Sequence, residues 1–142
     1  MPADVTTPYR VIYGDTDQMG VVYYANYLRL FEIGRNEWIR GSGSAYTRFE
    51  DAGLFLPVAE ASIRYQRSAR YDDLLAIHCW LANLKGASLR FEYEIRRDTE
   101  TLATGMTRHA LVDADGRPQR WPPPLKILVK EWQAQLEDQA DG

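Results

Sequence analysis

The sequence predicts an α+β domain in which a curved antiparallel β-sheet wraps around one long central α-helix. Three observations carry this expectation. A long and unusually apolar helical stretch stands near the start of the chain, four strand-like segments follow it, and the later strands are joined by short turns. A doubly wound parallel sheet needs strands and helices in alternation, which this order excludes. At 142 residues the chain suits one domain, residues 1–142, large enough to bury most of its apolar surface without disulfides. No internal repeat or linker divides it.

Residues 6–13, TTPYRVIY, read as a short strand ending at Gly14. A glycine-bracketed acidic loop follows, within YGDTDQMGVVYYANY (13–27). Tyr27, Leu30, Phe31, Gly34 and Trp38 then recur at helical spacing as far as Gly41. Leu28 and Ile33 widen the apolar surface, which leaves Arg29, Glu32, Asn36 and Arg40 as a narrow polar stripe. A helix this apolar belongs inside the curl of a sheet, and Gly34 on its inner face lets a strand come close. GSGS (41–44) is a turn, after which Ser44 can cap a short helix, AYTRFEDA, that stops at Gly53.

The strand-like segments come next. LPVAEASIRYQR (56–67) alternates near its end, Ile63 and Tyr65 against Arg64 and Gln66. LLAIHCWLANL (74–84) is apolar on both faces, as in a doubly covered strand. In SLRFEYEIRR (88–97), Leu89, Phe91, Tyr93 and Ile95 alternate with Arg90, Glu92, Glu94 and Arg96. TLATGMTRHALVDADG (101–116) ends in an Asp115-Gly116 turn, and RPQRW can fold back as a hairpin arm. Pro122–Pro124 then open a closing helix with Leu125, Leu128, Val129, Trp132 and Leu136 on one stripe.

Composition excludes several classes of function. The formal charge of −3 argues against a nucleic-acid binder, whose domain would be basic. The apolar runs are too short to span a membrane, and the opening MPADVTTPYR lacks the apolar segment of a secretory signal. The single cysteine, Cys79, forms no internal disulfide and suits a reducing, cytoplasmic location. Within an apolar strand it reads as a small packed residue rather than a nucleophile.

The chemistry-bearing candidates begin with Asp15 and Asp17. A magnesium-dependent phosphatase would need a parallel α/β sheet and further acids downstream, for which Asp72-Asp73 is a poor supply. For Asp15 a turn role is favoured, its carboxylate bonding nearby backbone N–H groups. Asp17 stands just before a helix whose free N–H groups carry partial positive charge. A helix end that polarises a carbonyl, with a carboxylate to attack the carbon or deprotonate a water, is what acyl transfer requires. No G-x-S-x-G elbow is present. His78 and His109 lie in strand patterns without zinc-ligand spacing, so no metal is expected. Glu32 and Glu37 read as solvated or ion-paired helix residues. Arg67 and Arg70 flank a strand end. Lys85-Gly86-Ala87-Ser88 forms a turn that either grips phosphates or is an ordinary solvated hairpin tip.

The string YGDTDQMGVVYYANYLRLFEIGRNEWIR, with IRYQRSARYDDLL and LKGASLRFEYEI, resembles the 4-hydroxybenzoyl-CoA thioesterase branch of the hotdog-fold superfamily. In pattern it is similar to the acyl-CoA thioesterases of bacterial Tol-Pal clusters. The resemblance covers most of the chain and implies the hotdog fold, a curved antiparallel sheet around one helix. It implies hydrolysis of an acyl thioester carried on CoA or on acyl carrier protein, and a homodimer or homotetramer with the site at a subunit interface. Asp17 matches the position of the nucleophile or general base. Tyr24 matches the residue whose backbone N–H polarises the thioester carbonyl. Lys85, Gly86, Ala87 and Ser88 match the region near the CoA phosphates, with Arg67 and Arg70 as further CoA contacts. No cofactor is implied, CoA being part of the substrate. Many Tol-Pal-type members carry histidine where this chain has Tyr24, which bears on acyl preference rather than on the reaction. The rival reading is a non-catalytic module that binds acyl-CoA or acyl carrier protein. A hotdog dehydratase would need a histidine near or on the central helix, which has none.

Overall fold

The computed structural model of the chain describes residues 4–41 and 51–121, together with 130, 131 and 134. Strand β1 (Asp4–Arg10) is followed by helix α1 (Asn26–Gly41) and then by β2 (Val58–Tyr65), β3 (Leu74–Lys85), β4 (Ser88–Arg97) and β5 (Glu100–Ala110). The strands form one sheet in the order β1-β3-β4-β5-β2, every neighbouring pair antiparallel. The expected architecture, a curved antiparallel sheet with one long helix packed in it, is what is found.

Alternation makes β4 the clearest element. Leu89, Phe91, Tyr93 and Ile95 are buried and their neighbours half-exposed. From α1, Tyr27, Leu30, Phe31, Gly34, Trp38 and Ile39 turn inward. Burying side chains the size of Leu30 and Phe31 contributes roughly 2–3 kcal/mol each. Two glycines set how closely helix and sheet approach. A Cβ on Gly34 would stand 2.7 Å from Ile77 Cγ2 on β3. Gly105 on β5 pairs with Tyr93, and Phe31 stacks on that tyrosine with ring centroids 4.2 Å apart. The Phe31 ring fills the notch that Gly105 leaves, so a Cβ there would be 2.6 Å from its Cε2.

Several boundaries depart from the sequence reading. The first strand ends at Arg10 rather than near residue 13, because Asp73, next in register, turns its N–H to Arg70 O, Ile12 N–H turns to the Asp15 carboxylate, and Tyr13–Asp15 wind into a 3₁₀ turn. β3 is not covered on both faces. Leu75, Ile77, Cys79 and Leu81 are buried against α1, while His78 and Trp80 on the other face are half-exposed. β2 is an exposed edge strand in which Tyr65 stays outside and Ile63 is half-buried. β5 stops at Ala110. Beyond it, Asp113–Gly116 turn with Gly116 at φ +80°, and residues 117–119 fold back onto 111–113 as the expected arm. Asp51 is helical and Gly53 follows at φ +74°, as at a helix end; the rest of that short helix, with Ser44, lies outside the described residues. So do Pro122–Pro124 and the apolar stripe of the closing helix, of which Lys130, Glu131 and Ala134 are described as helical.

Replacing Gly105 by Ala should cost about 2–3 kcal/mol, through overpacking against Phe31 and the backbone of Ser62. Gly14→Ala, whose new Cβ would meet nothing closer than 4.0 Å, should stay within about 0.5 kcal/mol of wild type. Urea denaturation of both variants checks the contrast.

Candidate active site

The loop between β1 and α1 is fixed by Asp15. Its carboxylate is buried, 4% exposed, and accepts from Tyr9 Oη at 2.8 Å and from Ile12 N–H at 3.0 Å. It also pairs with the guanidinium of Arg29 on α1. The backbone carbonyl of the same residue accepts from Tyr23 N–H and Asn26 Nδ2, both at 2.9 Å. One residue therefore ties strand, loop and helix start together. The expected structural role holds, with partners more distant in sequence than a local turn supplies.

Two residues on, Asp17 is half-buried at the mouth of a small loop closed by Asp17 N–H to Val21 O and Gly20 N–H to Asp17 O, each 3.0 Å. Gly20 takes φ +78° to make the turn, a conformation that strains any residue with a Cβ. Asp17 Oδ1 accepts from Met19 N–H at 2.9 Å. Asp17 lines a cavity of about 320 Å³ with Val21, Val22, Tyr24, Tyr27, Tyr65 and Arg67.

Tyr24 sits two residues before the first residue of α1. Its carbonyl accepts from Tyr65 Oη at 3.0 Å and from Tyr27 N–H at 3.3 Å. Its N–H meets no acceptor among the described residues. Tyr65 packs edge-on against both Tyr24 and Tyr27, with centroids 6.3 and 5.3 Å apart. Burial raises the phenol pKa of Tyr27 and Tyr65, so both stay protonated. Tyr27 and Tyr65 were not singled out as cavity residues from sequence; the spacing that places Tyr65 at the end of a strand was visible, its facing partner was not.

The expected cations divide. Arg67 lines the cavity and pairs with Glu100 at 3.4 Å. Arg70 lies outside the cavity lining, beside Gly20, its segment bridged to Val21. The Lys85–Ser88 turn, with Gly86 at φ +47° and Ser88 Oγ donating to Lys85 O, is at the opposite end of β3. The twelve residues of β3 span eleven steps of strand rise, roughly 35 Å. One chain does not bring Asp17 and Lys85 into one site. Asp72 and Asp73 are committed elsewhere, to Arg10 and to Arg97 respectively.

The histidines take structural parts. His78 bonds Asp4 at 2.5 Å on the outer face of the sheet. His109 ends a buried chain whose direction is set at its far end. Leu56 O can only accept, so at 2.9 Å His109 Nδ1 carries the proton, and in the neutral ring Nε2 accepts from Thr107 Oγ1 at 2.8 Å. Thr107 Oγ1 therefore accepts from Tyr93 Oη at 2.6 Å, and the phenol oxygen accepts from Arg35 at 3.1 Å. Both ring nitrogens are occupied in a neutral imidazole, which leaves no lone pair for base catalysis. Burial lowers the His109 pKa to about 4. Burial likewise pushes the Cys79 thiol up, away from thiolate chemistry. Glu37 pairs with Arg40 as expected of a helix-surface acid.

Asp15→Ala should destabilise the fold by roughly 2–3 kcal/mol, since it strands the Tyr9 hydroxyl, the Ile12 N–H and Arg29 together. Between pH 6.5 and about 4 the unfolded chain takes up a proton that folded His109 refuses. Its contribution is therefore complete above pH 6.5 and lost as the pH falls toward 4, with a slope of up to ~1.4 kcal/mol per pH unit. Denaturation across that window should show a flatter dependence in His109→Gln.

Known proteins of similar sequence and fold identify the family. Residues 11–133 match the family model of the thioesterase-like superfamily. The acyl-CoA thioesterase YbgC of Haemophilus influenzae is 38% identical over 107 residues, 75% of this chain and 79% of that protein. A 1,4-dihydroxy-2-naphthoyl-CoA hydrolase of Synechococcus elongatus is 32% identical over 126 residues, 87% of this chain and 90% of that protein. Among solved structures, a DHNA-CoA thioesterase from Staphylococcus aureus superposes with a TM-score of 0.88 at 26% identity, covering 95% of this chain and 94% of that one. By sequence over most of its length and by fold, the chain belongs to the thioesterase-like superfamily.

Proposed function

We propose that the protein hydrolyses acyl-CoA thioesters, with the Asp17 carboxylate working on a carbonyl held at the N-terminal end of α1. One juxtaposition carries the reading: Asp17 and Tyr24 line the same cavity, and the Tyr24 N–H has no acceptor among the described residues. A thioester oxygen accepting from that N–H would gain the helix-end field as negative charge develops on it. Asp17 Oδ1 is engaged by Met19 N–H, which leaves Oδ2 to attack the carbon or to take a proton from water. Either route adds one water across the thioester, and the products are a free acid and the CoA thiol. A carboxylate does this without a metal, a cofactor or a partner histidine. The names of the Haemophilus and Synechococcus relatives support the substrate class.

The reading also asks for a second copy. β2 pairs with β5 on one side and has no strand partner among the described residues on the other. Val58 lies opposite His109 and Ser88 opposite Ala110, so the start of β2 and the Lys85–Ser88 turn share one end of the sheet. Tyr65 and the Asp17 cavity occupy the other end. Antiparallel pairing of two β2 strands would bring each Asp17 cavity to the end of the dimer that carries the second copy's Lys85–Ser88 turn. There the ammonium, the Ser88 hydroxyl and the Gly86 and Ala87 N–H groups can meet CoA phosphates, with Arg67 and Arg70 on the Asp17 side. A reducing cytoplasm suits the single buried cysteine, and a carrier-protein thioester would present the same carbonyl.

Asp17→Asn retains an acceptor for Met19 N–H, so the variant should fold like wild type while kcat falls about 10³-fold. A thiol-release assay on a small thioester panel measures this; undiminished turnover in the variant would remove Asp17 from the mechanism. Absence of thiol release from the wild type would leave a binding module. Single-turnover hydrolysis in ¹⁸O water separates the two routes, label in the Asp17 side chain marking the covalent one. Lys85→Ala should raise KM several-fold with kcat nearly unchanged.

A further inference from the structure

A second cavity, of about 220 Å³, opens beside the later turns of α1 and has no part in the hydrolysis described above. Glu32, Arg35 and Asn36 line it from the helix, and Leu56, Phe91 and His109 from the sheet side. On the sheet side, both His109 ring nitrogens and the Leu56 carbonyl are already bonded, through the chain that runs to Thr107 and Tyr93. What remains for a ligand is Arg35. One of its five N–H groups reaches Tyr93 Oη at 3.1 Å. Arg29, Arg67, Arg97 and Arg108 each meet a carboxylate, whereas half-buried Arg35 meets none among the described residues.

A guanidinium at a cavity wall, with no carboxylate beside it among the described residues, keeps N–H groups available to an entering anion. Its charge is felt inside. Burial dominates the pKa shifts of Tyr93, Cys79 and His109, and on each of these the Arg35 charge acts to lower the value. Glu32, on the same wall, is exposed to water, lies beyond ion-pair distance of Arg35, and is absent from the influences on those buried groups.

We propose that this cavity binds a small carboxylate, gripped by the Arg35 guanidinium with the Asn36 amide as a second donor. Arginine matches a carboxylate with two parallel N–H···O bonds. The volume is the share of roughly seven liquid waters at ~30 Å³ each, room for a short acid but not for CoA. Two sources present this group: the far end of a dicarboxylic acyl thioester, or a free carboxylic acid. The first rests on the hydrolase reading and on pairing of β2 edges, because the cavities flank opposite ends of β2 and antiparallel pairing sets one copy's Asp17 cavity toward the other's Arg35 cavity. The second source needs neither.

The test compares glutaryl-CoA with valeryl-CoA, equal in carbon count, and titrates free glutarate into the full chain by calorimetry. Wild type should favour glutaryl-CoA in kcat/KM by about tenfold or more, and Arg35→Gln should lose that factor. Asn36→Asp alters an exposed helix position, spares the Tyr93 chain, and should lower the same ratio by repulsion, so the proposal remains testable if Arg35→Gln fails to fold. A flat ratio together with glutarate binding that both variants weaken about tenfold assigns the pocket to a free acid. No preference and no variant-sensitive glutarate binding overturns the proposal. If neither thioester is hydrolysed, the dicarboxylic source is ruled out and the glutarate titration alone decides the pocket, while the hydrolase reading is judged on the wider thioester panel.

Discussion

The buried Asp15 carboxylate is the constraint on which the site depends. It accepts from a β1 tyrosine, a loop amide and an α1 arginine at once, while its carbonyl takes two donors at the helix start. Removing such a group from water is unfavourable unless its lone pairs are met, and here three partners from separate elements meet them. The geometry that satisfies Asp15 also fixes the distance from the loop to α1. Asp17 inherits its position from that arrangement, since only Thr16 separates the two acids. Two carboxylates one residue apart thus have opposite environments, one saturated with donors and the other half-exposed at a cavity mouth.

Beneath the loop, packing rather than polarity sets the approach of helix to sheet. Gly34 and Gly105 lack the Cβ atoms that would hold α1 away, and Phe31 and Tyr93 occupy the space as a stacked pair. That closeness brings Arg35, one turn beyond Phe31, within bonding distance of Tyr93 Oη. The close packing of α1 on the sheet and the Arg35–Tyr93 bond therefore rest on the same two glycines.

Much of this was legible in the residue pattern. Period-two alternation identified β4 without ambiguity, and helical spacing with Gly34 located α1 and its contact with β3. The resemblance to the hotdog thioesterases agreed with the fold and the family. The errors have physical causes. Ala76, Trp80 and Ala82 made β3 look covered on both faces, whereas the outer ones are only half-buried, beside the long side chains of β4. The strand before Gly14 was read too long because Val11 and Ile12 are apolar, although Val11 makes the last bonds to the β3 side and Ile12 already turns to Asp15. Arg35 escaped notice because it lies off the polar stripe drawn through Arg29, Glu32, Asn36 and Arg40. Its partner Tyr93 is 58 residues away, a contact that no local spacing reveals. For Asp15 the pattern gave the role but not the remote partners.

The strand edges have a consequence for how far assembly can proceed. β2 carries a register shift near Val58 and Glu60 and charged side chains along its length, which discourages indiscriminate annealing of foreign strands. Among the described residues, a two-fold joining through β2 would leave β1 at either extremity. Pro8 interrupts that border because it has no N–H to contribute, and Asp4 and Arg10 add charge at its two ends. The unpaired border of β1 would then discourage further strand addition, a stop against fibre formation shared by one proline and two charged ends.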